Sequence, residues 1–254
     1  MNAGTALAPA FFVAEKRRKT VKVGDIEQRL RSLASREKAA VLRSFFKTGP
    51  GQYGEGDIFL GISVPQLRKL ARECANTTLN DSTKLLRSPV HEQRLLALFL
   101  LIQSFSGGDH YRQEKIFKLY LKHRRYVNNW DLVDLSAPHI VGKYLYDKPR
   151  DVLYRLARSR SLWERRISVI STLYFIRQNR FSDTLRVSRI LLQDEHDLIQ
   201  KAVGWMLREI GKRNLEAEKG FLDAHYRKMP RTMLRYAIER FPKTMRMRYL
   251  KGLM

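Results

Sequence analysis

One polar position returns along this chain at a nearly fixed interval, and that interval constrains the fold more than any other feature. The stretch 156–172, LARSRSLWERRISVIST, overlays 191–207, LLQDEHDLIQKAVGWML, without a gap at an offset of 35 residues. In that register Arg166 matches Lys201. A further step, through TMLRYAIE (232–239), reaches Arg235; a step back reaches Asp131, and a small gap brings in Arg94 from LRSPVHEQRLLALFLL (86–101). The intervals between Arg94, Asp131, Arg166, Lys201 and Arg235 are 37, 35, 35 and 34 residues. Apolar residues around these positions recur at spacings of 3 and 4, the period of a helix buried on one face, and strand-like alternation is absent. A repeat of this length in helical sequence belongs to stacked helical hairpins, each too small to bury its apolar face alone.

The expected fold is therefore all-α, an α-solenoid of HEAT-like helical repeats. The second helix of each pair lines the concave side, so the register residues repeat along it, and four of the five are cations. That concave basic face suits a phosphate backbone, and the composition points the same way. Lys+Arg is 49 against Asp+Glu 25, a formal net charge of +24, and self-repulsion on that scale answers to a polyanion. Nucleic acid is the first candidate and an anionic membrane surface the second. No apolar run approaches the roughly 18–20 residues of a membrane span. The N-terminus puts its apolar part before its basic part, the reverse of a secretory signal. The single cysteine, Cys74, excludes an internal disulfide and reads as a small packing residue. An intracellular, nucleoid-associated monomer is expected.

Along the chain, residues 1–22 read as a flexible basic arm and 23–254 as a single repeat domain. DIEQRLRSLASREKAAVLRSFF (25–46) reads as one long helix, and KTGPGQYGEGDIFLGI (47–62) as the glycine-rich loop. Ser63 opens the next helix, with Pro65 in the first turn and Gln66 completing a capping box. The loop lacks the phosphate-binding pattern that ends in Gly-Lys-Ser/Thr. The six histidines are scattered without ligand spacing, so no metal and no cofactor is expected.

The chemistry concentrates in NNWDLVD (128–134). With the register position at 0° and about 100° per residue, Trp130 lies at about −100°, Asp134 at about −60°, Arg166 at 0° and Trp205 at about +40°. An acid, a guanidinium and two indoles thus share one wall across three repeats. Asp134 has no basic residue one turn away in its own helix, and a buried carboxylate without a partner is costly. Arg166, one repeat on, is the natural partner. Asp131 reads as an acid in a first turn capped by Asn128 or Asn129, complementing the helix dipole. Trp163 reads as core packing. A carboxylate between indoles on a cationic, duplex-sized concavity suits a cationic group attached to DNA. N-alkylation at N3 or N7 of a purine gives such a group and labilises its glycosidic bond. A carboxylate beside the sugar then stabilises the oxocarbenium and holds the attacking water, and indole faces attract the cation.

The chain also resembles the AlkD-like DNA alkylation repair proteins, alkylpurine DNA glycosylases built of HEAT-like repeats. The resemblance runs from about residue 25 to 245 and rests on FLGISVPQLRKL (59–70), NNWDLVD, LWERRISVISTLYFIR (162–177) and LIQKAVGWMLREIGK (198–212). It implies an active site of Trp130, Asp134, Arg166 and Trp205, the four that the helical register selects. It also implies excision of cationic N3- and N7-alkylpurines from duplex DNA without base flipping, with the tryptophans against the lesion's deoxyribose. Some members lack parts of this set and bind DNA without excision. The expectation is thus a monofunctional alkylpurine glycosylase, with Lys201, Arg94, Arg235 and Arg208 holding the DNA backbone. The alternatives are a non-catalytic binder of branched or damaged DNA, which needs only the basic ladder, and a helical scaffold for an acidic protein, which needs neither. The N-terminal arm and the GPGQYGEGD loop depart from the family pattern, so the resemblance assigns neither the place of the first helices nor a role to Tyr53.

Overall fold

The computed structural model describes residues 20–254. The expected N-terminal arm falls almost wholly on residues 1–19, outside the described residues. Helices follow one another as α1 (Val23–Leu33), α2 (Arg36–Phe45), α3 (Val64–Glu73), α4 (Leu79–Leu86), α5 (His91–Ser106) and α6 (His110–Lys122). Then come α7 (Trp130–Asp134), a π-turn (Pro138–Gly142) running into α8 (Lys143–Leu145), α9 (Asp151–Ala157), α10 (Leu162–Ser171) and α11 (Leu173–Arg177). The chain closes with α12 (Ser182–Ile190), α13 (Asp197–Gly211), α14 (Leu215–His225), α15 (Arg231–Ala237) and α16 (Lys243–Lys251). Among the described residues no strand forms; one isolated parallel bridge joins Ile58 to Val90.

The repeat shows in the packing. Helix α5 packs on α7, α7 on α10, α10 on α13 and α13 on α15, so the helices that carry the register residues stack directly on one another. Their partners α4, α9, α12 and α14 pack behind them. One apolar core runs unbroken from Ile26 in α1 to Tyr249 in α16. In α13, Gly204 lets α15 approach closely: a Cβ there would lie 2.4 Å from the Met233 carbonyl oxygen.

The expected single helix over 25–46 is two helices. Ser35 breaks it. Its hydroxyl accepts from the Lys38 amide at 3.4 Å and its own amide donates to the Leu60 carbonyl at 2.8 Å, so a cap and a tertiary bond outcompete one more helical turn. The chain can come this close because residue 61 is glycine, at φ +81°, where a Cβ would lie 2.2 Å from Ser35 O. The Glu92 carboxylate then accepts the Leu60 amide at 2.9 Å and the Gly61 amide at 2.8 Å, tying the end of the loop to the start of α5. At the start of α3 the Gln66 side chain accepts from the Ser63 amide at 3.1 Å and the Ser63 side chain accepts from the Gln66 amide, the expected capping box, with Pro65 in the first turn.

Candidate active site

Helix α7 is short and held at both ends. The Asn129 Oδ1 accepts from the Trp130 amide at 2.8 Å, the expected cap. Asp131 Oδ1 accepts from the Leu132 amide at 2.8 Å, while its Oδ2 accepts from His91 Nε2 at 2.8 Å. The Asp131 reading as a first-turn acid thus describes half of its role; the other half is a cross-repeat clamp. His91 is bridged on its far side by Asp57 Oδ2, 3.1 Å from Nδ1, and Asp57 Oδ1 accepts from Arg94 Nη2 at 2.7 Å. All four of these side chains are buried. Burial alone would lower the His91 pKa, but its bonds to Asp131 and Asp57 outweigh burial and raise it to about 9. Conversely, burial would raise Asp57, and His91 and Arg94 hold it below the usual carboxylate range.

Asp134 closes the same helix. Its Oδ1 accepts from Arg166 Nε at 2.8 Å and its Oδ2 from Arg166 Nη2 at 2.7 Å, a two-pronged pair between α7 and α10. Arg166 also donates to the Leu198 carbonyl at 2.5 Å, tying in α13. The Asp134 side chain keeps 16% exposure and that of Arg166 6%. Burial pushes the Asp134 carboxyl above its usual range, against the pull of Arg166.

Two hollows meet at this point. A cleft of about 450 Å³ is lined by Phe45, Tyr53, Trp130, Arg166, Leu198, Lys201, Trp205, Arg208 and Tyr236. It brings Trp130, Arg166 and Trp205 together, as the helical register placed them. A second, mostly apolar cavity of about 540 Å³ lies between α2, α3, α5 and α7; it shares Phe45 and Trp130 with the cleft, and it is this cavity that Asp134 borders. Asp134 therefore sits at the seam, with Arg166 reaching it from the cleft side. The helical register does not reveal this partly open apolar space. Its walls are Phe46 and Phe59, which stack on each other at 5.1 Å, with Phe46 also stacked on Trp130 at 5.1 Å. The consecutive Phe45 and Phe46 at the end of α2 were the available signal.

The expected phosphate ladder is reduced. Arg94 is not available to DNA: it is buried and engaged by Asp57 and by the Ser88 and Pro89 carbonyls, because its helix start lies beneath the loop that ends at Asp57. Arg166 is likewise engaged. Lys201 is 39% exposed and pairs with Asp197 at 2.6 Å, one turn away. Arg208 lines the cleft and pairs with Glu239. Arg235 is exposed. Trp163 is half-buried against the core, as read, and also meets Tyr53 edge-on at 6.0 Å. The His91–Asp57–Arg94 network was not legible, since Asp57 lies 34 residues from His91 and 37 from Arg94 with no local pattern to join them. His139 is exposed and borders neither hollow. Among the described residues no group of His, Cys, Asp or Glu is placed to hold a metal, and no helix is long and apolar enough to cross a membrane.

A stack of helical hairpins with a partnered carboxylate and two indoles on its inner helices defines a helical-repeat protein with one composite polar and aromatic site. The chain belongs to the DNA alkylation repair enzyme family, which it matches over residues 26–241. That family supports a role in DNA repair, with DNA as the partner. A solved structure described as a predicted DNA alkylation repair enzyme from Enterococcus faecalis has a similar fold, with a TM-score of 0.62 and 18% identity over 83% of this chain and 97% of that one. No curated protein matches the sequence closely enough to count.

Proposed function

We propose that this protein is a monofunctional DNA glycosylase that hydrolyses the N-glycosidic bond of cationic N3- and N7-alkylpurines in duplex DNA. The observation that carries the reading is the Asp134–Arg166 pair at the junction of the Trp130–Trp205 cleft. Both Asp134 oxygens are oriented by the guanidinium, and each retains a lone pair for a water or for positive charge. As the C1′–N9 bond breaks, its electron pair passes to the base, which leaves neutral, and the sugar becomes oxocarbenium-like. Water then bonds to C1′ and loses its proton towards Asp134. A fixed carboxylate beside the developing cation lowers the barrier, and each ~1.4 kcal/mol is a factor of ten in rate. Trp130 and Trp205 flank the sugar, and Lys201, Arg208 and Arg235 address the backbone. A leaving group that is already cationic needs no general acid, and no histidine lines the cleft.

A second reading, a non-catalytic binder of branched or damaged DNA, is favoured by one feature: both Asp134 oxygens already accept from Arg166, as in a purely structural pair. Incubation with duplex DNA containing 7-methylguanine divides the two. Release of the free base supports the glycosylase; tight binding with no release over many hours supports the binder.

A further inference from the structure

The glycine-rich segment 47–57 has no part in the reaction as described, and Tyr53 is its one aromatic residue. The segment is firmly built. The Gln52 amide donates to Gly49 O, the Gly54 amide to Lys47 O and the Asp57 amide to Gly54 O, each at 3.1 Å. The Gly49 amide donates to Gln52 Oε1 at 3.0 Å and the Gly51 amide to Glu55 Oε2 at 2.9 Å. Its far end is Asp57, buried, which receives Arg94, His91 and, at 3.3 Å, the side-chain amide of Asn129. Asn129 is also the residue that caps α7 at Trp130. Loop and α7 are therefore one hydrogen-bonded body, and Tyr53 has a fixed place in the cleft.

That place is specific. The Tyr53 ring stands edge-on to Trp163, 6.0 Å away and at 76°. Trp130, Arg166 and Lys201 line the same cleft as Tyr53. An indole N–H, a guanidinium and an ammonium only donate, whereas a phenol also accepts, so among these groups the Tyr53 proton has no acceptor and is left for an incoming one. Arg166, paired with Asp134, and Lys201, half-exposed and paired with Asp197, bring positive charge to that cleft, and an anion is the acceptor that suits it.

We propose that Tyr53 is a substrate-contacting residue that donates its hydroxyl proton to a phosphate oxygen flanking the lesion nucleotide, so that the glycine-rich loop fixes the damaged strand against Trp130. This rests on the reading that the cleft receives alkylated DNA. Burial raises the Tyr53 pKa, so the hydroxyl stays protonated at neutral pH.

The experiment is a cycle between Tyr53→Phe and a neutral methylphosphonate placed at either phosphate flanking a single 7-methylguanine. Single-turnover excision by Tyr53→Phe should fall about tenfold, the scale of one hydrogen bond to a charged group, and Tyr53→Ala should fall further. At one of the two phosphates the methylphosphonate should slow the wild type similarly and the Tyr53→Phe variant hardly at all. Penalties that simply multiply at both phosphates, or a Tyr53→Phe rate equal to wild type, overturn the proposal. The same cycle read as affinity on undamaged duplex decides the contact without any chemistry. A wild type that releases no base would sink the glycosylase reading, while the affinity cycle would still judge Tyr53.

Discussion

Replacing His91 with Gln should remove most of this protein's sensitivity to alkaline pH. The imidazolium lies between Asp57 at 3.1 Å and Asp131 at 2.8 Å and is buried, with Arg94 as the nearest opposing cation. Its pKa rises from 6.5 to about 9 in the folded state. A folded pKa above the unfolded value gives stability that is complete below pH 6.5 and is lost as pH climbs through about 9. At 1.36 kcal/mol per unit, the full shift is about 3.4 kcal/mol, and about 2.4 kcal/mol of it disappears between roughly pH 7 and 9.5. For a chain of this size that is a fall in Tm of about 5–10 °C.

Thermal melts followed by circular dichroism at the two pH values read it directly. Wild type should lose this increment; His91→Gln should melt lower at pH 7, because it leaves two buried carboxylates facing each other, but should lose little more at pH 9.5. Glu218 must be separated from this. Burial raises its pKa to about 8, against Arg208, so its contribution falls over pH 4.5–8, mostly below the window. If His91→Gln does not fold, Asp57→Asn removes one of the two carboxylates and should shrink the alkaline loss. An alkaline fall in Tm equal to that of wild type in either variant would refute the charged-imidazole argument.

Four further outcomes are expected. Asp134→Asn should keep DNA affinity within a few-fold and lose most excision; activity within about threefold of wild type would remove Asp134 from the chemistry. Because burial raises the Asp134 pKa, excision should fall on the acid side at a pH above the usual carboxylate range, read as the acid limb of a single-turnover pH profile; a limb at ordinary carboxylate pH refutes it. Duplex affinity should drop steeply between about 50 and 200 mM salt, and a flat log–log plot would dissociate the +24 charge from DNA. Glu218→Gln should raise Tm at pH 8, where the wild-type carboxyl is half-ionised in a buried site with no partner for Oε1; an unchanged Tm would contradict the shift.

The fold was legible because its signal is long and redundant. Five positions at 34 to 37 residues picked out α5, α7, α10, α13 and α15, and these are the helices that stack. The site was legible where it follows helical periodicity: Trp130, Arg166 and Trp205 share a cleft because their register angles agree. The sequence was silent where contacts are non-local. Nothing near Ser35 announces that its amide will pair with Leu60 instead of continuing a helix. Nothing near His91 announces Asp57 and Asp131, and the apolar cavity behind Trp130 exists only once α2 has folded against α7. The proposed selectivity for cationic bases predicts the outcome with competing 7-methylguanine, 3-methyladenine, uracil and hypoxanthine duplexes: the two alkylpurines should be released and the two neutral bases left in place. Efficient uracil release would show that a side chain of the site, such as the Tyr53 or Tyr236 hydroxyl in the cleft, protonates the leaving group, and would refute the mechanism as drawn.

The register position explains why the cations expected along one face divide into two kinds. It lies near the start of each inner helix, where neighbouring repeats press together, so a charge there is partly stripped of water and must find a partner. Arg94 finds Asp57, Asp131 finds His91 and Arg166 finds Asp134, each across a sequence distance of about one repeat. Breaking such a pair leaves a buried charge uncompensated, at about 3–5 kcal/mol. Beyond Arg166 the partners are local or absent: Lys201 meets Asp197 in its own helix and Arg235 stands in solvent. The solenoid is therefore clamped by charge through its first half and presents charge in its second. The cleft opens at the crossover, where Arg166 still clamps and Lys201, held only by an exposed carboxylate of its own helix, can turn to an incoming anion. That gradient predicts unequal phenotypes. Arg94→Ala should lower Tm and affect excision only through stability, whereas Lys201→Ala should leave Tm within about 1–2 °C and reduce the salt slope of DNA binding by roughly one phosphate. An Arg94→Ala protein that melts like wild type but binds DNA poorly would show that the two halves had been assigned the wrong way round.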